Sequence, residues 1–154
     1  MGKQIKTLRY KFQYTDKTIT GEMTIDLSRF EGQYSKAQYE LDSMVMTSMI
    51  PFMPMKYGVF INVTQGLSQS IAGSGKVVAA APPFGRFLYE GKVMIGERSM
   101  SAFAMKGEKK IATDRDLNFS KQAHPKVSAH WFESAKESDG KEWIAKTKKL
   151  AGGG

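Results

Sequence analysis

The sequence predicts an α+β domain: an amino-terminal β-hairpin, a long helix, several short strands, and a helix near the carboxyl end. Three observations predict it. Apolar and polar residues alternate over the first 27 positions, a three-and-four spacing follows from Ser28 towards Ile50, and the helical spacing returns after Pro125. The chain has 154 residues, 41% of them hydrophobic and 25% charged, which fits one globular domain over 1–154 that opens with a hairpin over 1–27.

In the hairpin, Leu8, Tyr10, Phe12 and Tyr14 alternate with Arg9, Lys11 and Gln13. Ile19, Met23, Ile25 and Leu27 alternate with Thr18, Thr20, Glu22, Thr24 and Asp26. A period of two marks strands with one covered face, and Thr15-Asp16-Lys17 supplies a turn because aspartate bonds locally to backbone. Ser28 to Glu31 fits a capping box, in which serine and glutamate satisfy amides of the first helical turn. Phe30, Tyr34, Ala37, Leu41, Met44, Val45 and Ser48 then form one apolar-leaning stripe, which Pro51 and Pro54 end.

Beyond Pro54 the period returns to two. Tyr57, Val59, Ile61 and Val63 alternate with Gly58, Phe60, Asn62 and Thr64, which predicts a strand. Gln65 to Gly75 reads as a mobile loop and Lys76 to Ala81 as a returning strand. After Pro82-Pro83, Phe84 to Glu90 forms a short helical turn stopped by Gly91, and Val93 to Ile95 a brief strand. Gly96 to Gly107 is an exposed loop. Lys109 to Ala112 and Leu117 to Phe119 are weak strands around a turn at Thr113 to Asp116. From Pro125 the chain turns helical, with Val127, Trp131 and Ala135 four apart and Trp143, Thr147 and Leu150 on one face; Gly140 either breaks the helix or is tolerated within it.

Composition bounds the function. No apolar stretch approaches the roughly 20 residues that span a bilayer, and Met1 to Lys6 shows no signal-peptide pattern, so no membrane partner is expected. Zero cysteines remove disulfides and thiolate chemistry, and two histidines, His124 and His130, are too few for a histidine-rich metal cage. The net charge of +8 comes from 23 basic and 15 acidic residues, but Glu108, Glu137, Asp139 and Glu142 dilute the lysine runs. Of ten methionines, Met44, Met46, Met49, Met53 and Met55 crowd together, as on adaptable contact surfaces.

Chemical motifs are thin. Gly73-Ser74-Gly75-Lys76 lacks the earlier glycine of a phosphate loop, where Ser70 stands, and has Val77 in place of the magnesium-binding hydroxyl. His124, His130 and Glu133 have no candidate nucleophile beside them. Trp131, Phe132 and Trp143 could stack on bases, but their helical spacing suits a core. Glu90, Glu97, Asp114 and Asp116 are too dispersed to act as a catalytic pair. The expectation is no enzyme, no catalytic or metal residue and no cofactor.

Three stretches together resemble a known group. Pro51-Phe52-Met53-Pro54-Met55-Lys56-Tyr57-Gly58 is similar to the helix-closing Pro-x-x-x-Gly pattern of phage tail-completion proteins. Val78 to Met94 resembles the strand, Pro-Tyr-Ala-Arg and Tyr-x-Gly signature of that group, with Phe84-Gly85 where Tyr-Ala is usual. His130-Trp131-Phe132-Glu133-x-Ala135 through Trp143-Ile144 to Gly152 is similar to its closing helix.

The family resembled is the minor capsid protein family of siphophages and prophages, and the resemblance covers about Ser28 to Gly152, the 28–152 core that follows the 1–27 arm. The resemblance implies a long helix packed on a small, mostly antiparallel sheet. It implies a virion structural protein of the neck, made in the bacterial host cytoplasm, that joins head to tail as a ring. Its implied partners are further copies of itself, six-fold to match the tail tube, then neighbouring neck and tail-tube proteins and a possible contact with packaged DNA. The candidate interface residues are Arg86, Phe87, Tyr89, Lys92, Met53 and Met55. For Arg86 there is also a chemical reason, since a planar guanidinium between Phe84 and Phe87 can stack on a ring while binding a carboxylate. The competing function is a basic nucleic-acid-binding module; a small hydrolase lacks a nucleophile–base pair.

Overall fold

The computed structural model of the chain describes residues 10–15, 20–25 and 28–152. Strands β1 (Tyr10–Thr15) and β2 (Thr20–Ile25) form the expected antiparallel hairpin, with Tyr10 opposite Ile25 and Thr15 opposite Thr20. Residues Asp16 and Lys17 of the expected turn, and the ends of both expected strands, lie outside the described residues. Helix α1 (Ser28–Met49) follows, and the Ser28 side chain of the expected capping box also lies outside them. A 3-10 turn at Ile50–Phe52 closes α1 where Pro51 withholds a donor.

The next element departs from the expected strand. Residues Val59–Ser70 form helix α2, whose buried positions are Ile61, Thr64 and Ser68. Two of these are polar, so the helical face was hidden from an apolar count while Tyr57, Val59, Ile61 and Val63 imitated a strand. Their hydroxyls have work to do. Thr64 Oγ1 donates to the Phe60 carbonyl at 2.8 Å and accepts from the Ala81 N–H at 3.3 Å. Ser68 Oγ accepts from the Val78 N–H at 3.1 Å and donates to the Val78 carbonyl at 3.0 Å. The segment expected as a strand at 76–81 therefore joins no ladder; side chains of α2 take the place of a neighbouring strand.

Helix α3 (Gly85–Glu90) and strand β3 (Lys92–Gly96) are separated by Gly91, as expected. Gly91 has φ +65°, and a Cβ there would stand 2.5 Å from the Ala129 Cβ, so conformation and space both require glycine. Strand β4 (Lys110–Asp116) pairs antiparallel with β3, with an irregular register between Lys92 and Met94. Thr113 to Asp116, expected as a turn, continues β4, while Leu117 to Phe119 is not a strand. There the Leu117 N–H donates to the Gly91 carbonyl at 2.7 Å, which redirects the chain.

Helix α4 (Trp131–Leu150) runs unbroken through Gly140 and begins later than the expected Pro125. Before it, amides point outward to other segments: Ser128 N–H to the Phe52 carbonyl at 3.1 Å and His130 N–H to the Tyr89 carbonyl at 2.9 Å. The long helix α1 packs mainly along α4 and secondarily on α2, whereas the β3–β4 ladder is carried by α3. The α+β class stands. The core is a helix pair, with Val45, Met46 and Met49 of α1 buried against Trp131, Ala135 and Trp143 of α4. Each indole is satisfied, Trp131 Nε1 donating to the Ala79 carbonyl at 2.8 Å and Trp143 Nε1 to Ser48 Oγ at 3.1 Å.

Candidate functional site

The most developed surface feature is an apolar trough of about 1200 Å³. One wall is the Pro54–Gly58 turn with the first two turns of α2, the other is Ala81–Phe84, and Phe119 closes one side. Because α2 buries Ile61, Thr64 and Ser68, its opposite face presents Val59, Val63 and Leu67 at i, i+4 and i+8 to solvent. Tyr57 is 80% exposed, Val59 66% and Phe84 68%, unusual values for side chains of this size set side by side.

Pro83 and Phe84 also border a second cleft of about 570 Å³, lined by Arg86, Phe87, Ala104, Glu108, Lys109 and Lys110. Here the Arg86 guanidinium lies 4.9 Å from the centre of the Phe87 ring and the Lys110 ammonium 5.5 Å from it. Lys110 Nζ also donates to the Ala102 carbonyl at 2.8 Å. Glu108 brings a carboxylate, but both its oxygens are occupied. Oε1 accepts from the N–H groups of Arg98 at 2.7 Å and Ser99 at 2.6 Å, and Oε2 from that of Met105 at 2.6 Å. These amides, Ser99 foremost and then Met105, hold its pKa down at about 2. The loop that Glu108 organises carries three further exposed apolar residues, Met100, Phe103 and Met105.

The six expected interface residues fall into two sets. Arg86 and Met55 are exposed and Phe87 is partly so, at the cleft and trough. Met53 is fully buried in the chain's own core, so it is a packing residue here and not a contact surface. Tyr89 is likewise turned inward: its hydroxyl donates to Glu133 Oε2 at 2.6 Å and its ring meets Trp131 edge to face at 4.8 Å. Burial first, then the Glu133 hydrogen bond, push the Tyr89 pKa well above the usual phenol value. Lys92 is paired across the β3–β4 ladder with Asp116. Sequence reading missed Tyr57, Val59, Val63, Phe84 and Phe103. A helical reading of 59–70 would have exposed the Val59–Val63–Leu67 stripe; nothing periodic marks Phe103.

The glycine loop is tied down. The amides of Gly73 and Gly75 donate to Asp42 Oδ2 at 2.8 and 3.0 Å, so an internal carboxylate already occupies the cradle an outside phosphate would need. His124 Nδ1 donates to the Met53 carbonyl at 2.8 Å, and the His130 ring meets Tyr89 edge to face. Among the described residues no group of three or more His, Asp or Glu could hold a metal ion, and no helix is long and apolar enough to cross a membrane. The chain matches no protein-family model, no curated protein and no solved structure.

Proposed function

We propose that this protein is a structural assembly subunit, and that it works as a ring at the neck of a tailed phage, joining head to tail. The observation that carries the assembly reading is the open apolar trough beside Tyr57, Val59, Val63 and Phe84. Apolar surface left in water costs about 25 cal/mol per Å² relative to burial, so a contiguous patch of this kind is stabilised by a partner that covers it. The neck reading draws support from the three stretches that resemble minor capsid proteins. Remote in sequence, they meet in space: Trp131 bonds Ala79, His130 bonds Tyr89, and Ser128 beside the third stretch bonds Phe52. Particles assembled without this protein should accumulate as separate heads and tails; normal joined, infectious particles would refute the reading.

A second reading, contact with nucleic acid, is favoured by the Arg86–Lys109–Lys110 cleft and the net charge of +8. It requires affinity that falls steeply with salt as phosphate contacts release counterions. The absence of a mobility shift at low salt would eliminate it.

A further inference from the structure

The trough and the basic cleft are one surface, because Pro83 and Phe84 border both. Its floor is apolar and its margins carry cations: Lys56 along the trough, Arg86 and Lys109 beyond Phe84. No carboxylate on that surface is available to them, since Glu108 spends both oxygens on backbone amides. An occupant with apolar side chains and an excess of carboxylates therefore fits it. A nucleic-acid strand suits this surface less well, because phosphodiesters leave the apolar floor unfilled.

One stretch of this chain has that chemistry. In Glu22-Met23-Thr24-Ile25-Asp26-Leu27, Met23, Ile25 and Leu27 alternate with Glu22, Thr24 and Asp26, with no lysine or arginine among them. Its first part belongs to the strand β2, and apolar and acidic positions alternate along the stretch with a period of two. Among the described residues β1 and β2 pair with each other and pack broadly on no helix. We propose that the Thr20–Leu27 stretch of a second copy docks in this trough, its apolar face on Val59, Val63 and Phe84 and its carboxylates towards Lys56, Arg86 and Lys109. The proposal rests on the assembly reading and specifies its joint. An arm placed in the next copy's trough is a heterologous contact, which rotation can close into a ring.

Charge reversal tests it on the full chain. One variant carries Glu22→Lys with Asp26→Lys, the other Arg86→Glu with Lys109→Glu; Lys110 is left alone because it also bonds Ala102. Melting temperatures establish that both remain folded, and sedimentation at low salt reports assembly. The wild type is expected to self-associate and each variant alone to be monomeric. An equimolar mixture should assemble again, since every arm then meets an oppositely charged trough. If the wild type assembles and both variants assemble equally well, this joint is wrong while the assembly reading survives.

If the wild type stays monomeric, the assembly reading fails by itself, and a fluorescein-labelled Thr20–Leu27 peptide decides the joint. Saturable binding that Phe84→Ser weakens by about 30-fold, the loss of a buried anchor, supports the joint. No binding overturns it, as does a mixture that remains monomeric beside an assembling wild type. Binding of a labelled 20-nucleotide oligothymidylate in place of the peptide would give the cleft to nucleic acid and also overturn it.

Discussion

Three backbone N–H groups converge on the single carboxylate of Glu108, which ties Arg98, Ser99 and Met105 of the loop between β3 and β4 to one side chain. Because its folded pKa is lowered to about 2 from 4.5, the contribution is complete above about pH 4.5 and fades as pH falls through 2. The backbone amide resonances of Arg98, Ser99 and Met105 should titrate together with a midpoint near 2. Glu108→Gln, which keeps the size but loses the charge, should abolish that titration and speed their hydrogen exchange at neutral pH. Unchanged exchange would show that the loop holds itself. Arg86 makes the opposite kind of contact, outward and on a ring face. Arg86→Ala should leave the monomer's melting temperature nearly unchanged while reducing self-association or head–tail joining, by about 2–5 kcal/mol if a desolvated pair is broken. Equal joining would remove Arg86 from the interface, and a large loss of monomer stability would place its role inside the chain.

At the scale of elements, the instructive segment is α2 with the stretch it holds. Thr64→Val keeps the shape but leaves the Ala81 N–H without its acceptor, and Ser68→Ala does the same to both polar groups of Val78. Each should cost about 1–3 kcal/mol in urea denaturation, the penalty of an unsatisfied buried group, and open residues 76–81 to proteolysis. The same pair explains what could be read in advance. Helix α1, the Gly91 stop, the loop after Gly96 and the Trp131–Ala135 face of α4 were legible because each shows a local period or a local breaker, although the stripe expected on α1 included exposed Tyr34 and left out buried Met46 and Met49. Helix α2 was not, since its buried face is made with hydroxyls whose partners lie at positions 78 and 81. The site was legible in part for a related reason. Arg86 and Met55 stand out by punctuation and composition, but Met53 and Tyr89 have the same chemistry whether they face a partner or Trp131, and only long-range packing separates the two.

For the whole molecule, Trp131 is the point where otherwise remote segments join. It bonds Ala79, lies edge to face with Phe60 of α2 and Tyr89 of α3, and sits fully buried against α1. Trp131→Ala should lower stability by about 3–5 kcal/mol, and Trp131→Phe by less, because the ring contacts are partly kept while the Ala79 carbonyl loses its donor. A chemical-denaturation midpoint unaffected by Trp131→Ala would mean that the helix pair folds without this junction.

Sulfur in this chain is found only in methionine, and among the described residues Met46, Met49 and Met53 are buried, Met44 and Met94 half-buried, and Met55, Met100 and Met105 exposed to water. Peroxide converts an accessible thioether to a sulfoxide and spares one that packing encloses. The chain thus carries its own set of oxidation reporters, readable peptide by peptide in a mass spectrometer. Met55 should be oxidised early in the free subunit and become protected when a neighbour fills the trough. Met49 and Met53 should gain oxygen only as fast as the helix pair opens, giving the unfolding rate in the same spectrum.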